Sequence, residues 1–192
     1  MPDFRDRLFT WRSYTPIPFL LAGLAFGQPT IASLIAGFAC ALLGESIRFW
    51  GVGHASYETR VTERVGASRL VVSGPFAYVR NPLYVGNILL YTGFGVMANL
   101  WWLVALTFAW FVFQYHLIVA REEEFLAKAF GKEYEEFRQN VPRFLPRLTP
   151  YHGDRSTAIH WSTAFRSERR TFQAFGIALV LMIGKWSLIR WA

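Results

Sequence analysis

An all-α integral membrane protein is what this sequence predicts: about five transmembrane helices, arranged as two helical hairpins and a C-terminal span, with a cytosolic cap. Three observations carry that prediction. Of 192 residues, 53% are hydrophobic and 18% aromatic, and the mean hydropathy is +0.24, more apolar than a soluble domain of this length. Five stretches approach the ~20 apolar residues that a spanning helix needs: Tyr14 to Gly27, Thr30 to Trp50, Leu83 to Ala98, Leu100 to Val119 and Thr171 to Ile189. The net charge of +7 is gathered into flanking segments, and the turns between the paired stretches carry no lysine or arginine.

Taken in order, Arg5, Arg7 and Arg12 precede the first hairpin, residues 13–50, which breaks at Gln28-Pro29. Were Tyr14 to Trp50 one helix, the basic segments before and after it would fall on opposite sides, so two spans are preferred. A cytosolic loop over residues 51–82 follows, and Arg48, Arg60, Arg64, Arg69 and Arg80 lie between the second and third spans. The second hairpin, residues 83–120, turns at Ala98-Asn99-Leu100, and a cytosolic cap and linker follow over residues 121–170. The final span, residues 171–190, ends at the interfacial anchors Arg190 and Trp191. The whole chain reads as one membrane domain with its N-terminus cytoplasmic, and no cleavable signal peptide is needed because a second apolar run follows the first directly. With its basic residues spent on topology, the chain calls for no nucleic-acid partner, and no obligatory protein partner is evident. Cys40, the only cysteine, lies mid-span and is read as packing, which leaves disulfides, zinc clusters and a cysteine nucleophile without support.

Two polar concentrations stand against this apolar background. In the first, Ser73-Gly74-Pro75 reads as a turn and Asn81-Pro82 as a helix start, with Asn81 as N-cap and Pro82 at the first helical position. The free N–H groups there and the charge of Arg80 would make an anion site or the polar floor of a pocket. The second runs from Gln114 to Leu126, where helical spacing sets His116 and Glu123 on one face and Ile118 and Glu122 on the next. Glu122 and Glu123 suit hydroxyl or ammonium groups of a ligand, whereas Glu124 and Lys128 read as a solvated pair. Phe130-Gly131-Lys-Glu-Tyr134-Glu-Glu-Phe137 is an amphipathic helix after a glycine hinge, followed by Val141-Pro142-Arg143. Glu45 and Arg48 read as a structural pair, Lys185 as a residue that snorkels outward, and Tyr151 to Arg170 as a linker.

The order Gly-Pro-Phe, Arg-Asn-Pro-x-Tyr, a two-span hairpin, Glu-Glu, Phe-Gly-x-x-Tyr-x-x-Phe and Val-Pro-Arg resembles the integral-membrane methyltransferases of the isoprenylcysteine carboxyl methyltransferase and phospholipid methyltransferase superfamily, over about Ser68 to Pro146. The resemblance implies S-adenosylmethionine bound in a cytosolic cofactor cap and a methyl acceptor entering from the bilayer, either a membrane lipid or another lipophilic small molecule. Carried residue by residue, it assigns the cofactor to Ser68, Arg69, Leu70, Val71, Phe76, Asn81, Pro82, Leu83, Tyr84 and Glu122, with Glu123 beside it and Arg80 or Arg69 suited to the carboxylate. It also implies a multi-pass inner (plasma) membrane protein whose active site faces the cytoplasm.

Two departures bear on the acceptor. Asn81 stands where the carboxyl methyltransferases have histidine, and Ile118 where they have the arginine that meets the acceptor carboxylate, so Arg121 or Arg143 would substitute. For an ammonium acceptor, His116 or Glu123 is the nearest base by sequence. Two rival readings are an NADPH-dependent enzyme similar to the sterol reductases and a catalytically silent lipid-binding membrane protein.

Overall fold

A computed structural model describes residues 4–55, 69–152 and 159–191. Every regular element among them is helical. They are α1 (Phe4–Trp11), α2 (Pro16–Phe26), α3 (Ile31–Ala55), a 3₁₀ turn (Gly74–Ala77), α4 (Pro82–Met97), α5 (Trp101–Phe130), α6 (Lys132–Asn140) and α7 (Trp161–Trp191). Three helices, α3, α5 and α7, are long and apolar enough to cross a membrane, while α2 and α4 are apolar but shorter.

The central contact is an antiparallel seam between α3 and α4. Gly37, Gly44 and Gly51 fall on one face of α3, and Gly86 and Gly93 on one face of α4, because a seven-residue step is close to two helical turns. A Cβ on Gly86 would stand 2.5 Å from the Gly44 carbonyl oxygen, and one on Gly93 would stand 2.7 Å from the Gly37 oxygen. The two backbones therefore touch, as small residues permit inside a bilayer. Around the seam, Ala41, Leu90, Phe94, Met97 and Met182 form one core cluster, and Leu8, Ile88, Phe111, Tyr115 and Ile118 form another. The hairpin tips are tied: the Gln28 N–H donates to the Ala98 oxygen at 2.9 Å, and Asn99 Nδ2 donates to the Gln28 oxygen at 3.1 Å.

Several boundaries differ from the sequence reading. α3 continues to Ala55 and α5 runs unbroken through the glutamates to Phe130. α7 begins at Trp161 instead of Thr171. The polar look of residues 161–170 conceals a helix face: Trp161 stacks on Phe49 at 5.4 Å, Ala164 and Glu168 are buried, and the arginines at 166, 169 and 170 point outward. The expected linker thus shrinks to the residues before Trp161, of which 153–158 lie outside the described residues.

Two charged residues inside the helices take on structural work. Arg48 pairs with Glu45 Oε2 at 3.3 Å, as expected, but also with Glu168 Oε2 at 2.7 Å, and its Nη1 donates to Asn87 Oδ1. One guanidinium thereby joins α3, α4 and α7. Lys185 does not simply snorkel; its ammonium donates to the carbonyl oxygens of Leu24 at 2.6 Å and Ala25 at 2.9 Å. It caps the end of α2, where the last carbonyls have no intrahelical donor and the dipole is negative.

Candidate functional site

The segment after Arg69 crosses the bundle end and turns at Gly74, whose φ of +61° is a conformation side chains rarely adopt. A Cβ there would also meet the His54 ring at 2.5 Å, so glycine is required twice over. From this turn the chain is pinned to the segment beyond α6: the Arg147 N–H donates to the Tyr78 oxygen and the Tyr151 N–H to the Ala77 oxygen, both at 2.9 Å. Beneath these bonds, Leu70, Val72, Tyr134, Phe137 and Val141 form a small separate core.

Charge sits at the joint between this layer and the bundle. Glu123 is 7% exposed. Its Oε2 accepts from Arg143 Nη2, and its Oε1 lies 2.9 Å from Arg80 Nη2. The latter is an ion pair whose angles fall outside those of a hydrogen bond, since Oε1 has no hydrogen-bond partner among the described residues. Arg80 Nη1 donates to the carbonyl oxygens of Arg138 at 2.6 Å and Val141 at 3.1 Å. Three elements, α4's approach, α5 and the segment after α6, meet on this one carboxylate.

Beside the trio lies a cavity of about 90 Å³ lined by Arg69, Leu70, Val71, Phe76, Arg80, Asn81, Leu126, Tyr134 and Phe137. Six of these residues are ones the sequence assigned to a cofactor. Leu126, Tyr134 and Phe137 were not assigned, although Tyr134 and Phe137 belong to the quoted Phe-Gly-x-x-Tyr-x-x-Phe pattern, which was the signal for them. Burial pushes the Tyr134 phenol above the ordinary tyrosine range, and the nearby Glu123 carboxylate pushes it the same way.

The other assigned residues are distributed differently. Ser68 lies outside the described residues. Asn81 precedes α4 as expected, but its side chain makes no cap; its Nδ2 donates to the Arg143 oxygen at 3.2 Å instead. The segment at Pro142 lies over the helix start, where the Arg80 N–H donates to the Pro142 oxygen at 2.9 Å. This start is therefore not the open anion site that its sequence suggested. Pro82 is buried, and Leu83 packs into the space left by Gly51. That close approach accounts for one of the glycines before His54, and Ile159 and Trp161 account for Gly53.

Tyr84 and Glu122 face a second region. Tyr84 donates to Glu122 Oε1 at 2.6 Å, and its ring lies 4.7 Å from that of Tyr115. Tyr115 is hydrogen-bonded to Asn87, which accepts from Arg48. A continuous chain thus runs from Glu168 on α7 to Glu122 on α5. α1 is strapped alongside by Arg5 to Glu124 at 2.7 Å and Arg121 to Asp6 at 3.3 Å, with Leu8 buried below.

Of the three residues given catalytic roles, none lines the cavity. His116 is on the exposed side of α5, Arg121 is occupied by Asp6 and Glu124, and both oxygens of Glu123 face guanidinium groups. Helical spacing correctly related His116 to Glu123, but the cap covers the face only at the level of Glu123.

A family model described as phospholipid methyltransferase matches residues 32–133. Cobalt-zinc-cadmium resistance protein CzcN of Cupriavidus metallidurans is 30% identical over 187 residues, covering 92% of this chain and 81% of its own. Nickel-cobalt-cadmium resistance protein NccN of Alcaligenes xylosoxydans xylosoxydans is 26% identical over 115 residues, covering 60% of this chain and 54% of its own. No solved structure matches.

Proposed function

The chain belongs to the phospholipid methyltransferase family, and from that premise we propose that it transfers a methyl group from S-adenosylmethionine to a lipophilic acceptor held in the bilayer. The observation that carries this reading is the convergence of Arg69, Leu70, Val71, Phe76, Arg80 and Asn81, drawn from one motif-rich stretch, on a single cavity beneath α6. Its lining suits part of the group, with apolar and aromatic walls for a purine and guanidinium groups for a carboxylate; Glu122, held by Tyr84 outside this cavity, is the carboxylate left for an ammonium or a ribose. When bound, the group supplies an electrophilic methyl on a good leaving group.

The protein's part is then alignment and the exclusion of water. Arg80, Glu123 and Arg143 hold the cap closed over the bundle end, and the Tyr84 bond fixes the orientation of Glu122. Arg121 and Arg143, the two candidates to receive an acceptor carboxylate, are both engaged by acidic side chains. That favours an amine-type acceptor over a carboxylate. In this reading α2 and α4 serve as the shorter spans of the two hairpins, the N-terminus is cytoplasmic, and the cavity lies at the cytoplasmic face of an inner membrane.

Calorimetric titration of S-adenosylhomocysteine into the detergent-purified chain tests the assignment. Micromolar binding, followed by methyl incorporation into a lipid extract, is the expected result; a folded protein that binds nothing overturns it. The two relatives are named for metal resistance, so growth of a deletion strain in cobalt, zinc and cadmium is the physiological readout to pair with it.

A further inference from the structure

Tyr134 is 1% exposed, yet its hydroxyl has no hydrogen-bond partner among the described residues. Leaving a buried hydroxyl unpaired is costly, and phenylalanine would fill the same space without that cost. Natural structures seldom keep such a group without a use for it. The Tyr134 side chain lines the cavity described above, together with Arg80, whose Nε is likewise buried and without a hydrogen-bond partner among the described residues. The remaining nitrogens of Arg80 are spent on Glu123 and on the carbonyl oxygens of Arg138 and Val141. Two residues of the cavity wall thus each carry an N–H or O–H donor unused among the described residues.

What they would bind follows from the surroundings. Leu70, Val71, Phe76, Leu126 and Phe137 make the rest of the wall largely apolar, which suits the faces of a flat ring. The charge of Arg80 is met by Glu123, and the excess positive charge of the trio rests on Arg143, which does not line the cavity; that leaves Arg69 as the lining guanidinium for the carboxylate end of the ligand. Against a neutralised Arg80 and a phenolic hydroxyl, an uncharged ring that offers acceptor atoms at its edge is a better match than an anion. We infer that the Tyr134 hydroxyl, with Arg80 Nε as the second donor, binds the ring nitrogens of a purine base, so that α6 supplies the base-reading residue of the nucleoside site. This inference rests on the cofactor assignment above and adds to it a residue and a role.

The test uses the full-length chain in detergent and the Tyr134→Phe variant, with S-adenosylhomocysteine and adenosine as separate titrants and thermal unfolding without ligand. The expected result is a variant that unfolds at the same temperature as the parent or higher, and binds both titrants about tenfold more weakly. Unaltered affinity in Tyr134→Phe overturns the inference. So does weakening confined to S-adenosylhomocysteine, which would move the hydroxyl to the amino-acid end of the ligand. A lower unfolding temperature for the ligand-free variant also overturns it, because the hydroxyl would then have a structural partner. If the parent binds neither titrant, the cofactor assignment itself fails, and the inference with it.

Discussion

Tyr84 on α4 donates its phenolic hydrogen to Glu122 Oε1 on α5 across 2.6 Å. The bond joins two residues that the family resemblance placed in one cofactor site, yet neither lines the cavity that holds Arg69 to Asn81. If Glu122 must be held in one orientation to meet a ligand, Tyr84→Phe frees it. S-adenosylhomocysteine should then bind about ten- to a hundredfold more weakly, on the scale of one hydrogen bond to a charged group, with unfolding temperature measured in parallel.

The Arg80, Glu123 and Arg143 trio predicts a different phenotype. Truncating one member of a buried ion pair leaves its partners uncompensated and costs about 3–5 kcal/mol. Glu123→Ala should therefore loosen the cap and lower the unfolding temperature, and limited proteolysis should cut the region after α6 that the parent protects. A Glu123→Ala protein as stable as the parent would deny the trio its holding role.

At the α3 and α4 seam, room is the quantity at stake. Gly93→Val would drive a branched side chain into the Gly37 carbonyl oxygen and the Ala41 nitrogen, each 2.7 Å from the position of a Cβ. Overpacking typically costs 1–3 kcal/mol, and backbone atoms yield less than side chains. Thermal unfolding in detergent should show a clear loss, whereas Gly176→Ala, with nothing within 4 Å, should show none.

His116→Ala and Arg121→Ala serve as negative controls. The first residue is exposed and the second is a half-exposed partner of Asp6 and Glu124, a type of pair worth about 0–1 kcal/mol. Neither change should alter S-adenosylhomocysteine affinity more than about twofold. A large loss on His116→Ala would return that histidine to the site.

Much of this architecture was legible in the chain. Apolar stretches located the helices, and the Arg69 to Asn81 motif located most of one cavity wall. What stayed hidden depends on neighbours instead of local pattern. Glu168 looks like a solvated residue until Arg48 is found against it, and the face that His116 shares with Glu123 is covered only where the cap arrives. Tyr134 sits in the Phe-Gly-x-x-Tyr-x-x-Phe motif, but only the lack of a hydrogen-bond partner among the described residues separates it from an ordinary core aromatic. The glycines at 37, 44, 51, 86 and 93 have a readable seven-residue spacing, and that spacing was the overlooked signal for the seam.

The cap that Lys185 places on α2 has a consequence for biogenesis. Donor and acceptor are 161 residues apart in sequence, so during synthesis the Leu24 and Ala25 carbonyl groups are made long before the ammonium group that meets them. In the folded chain it is α7 that supplies that donor. A chain truncated before residue 185 would leave these two carbonyl groups without that donor, a costly state wherever lipid replaces water.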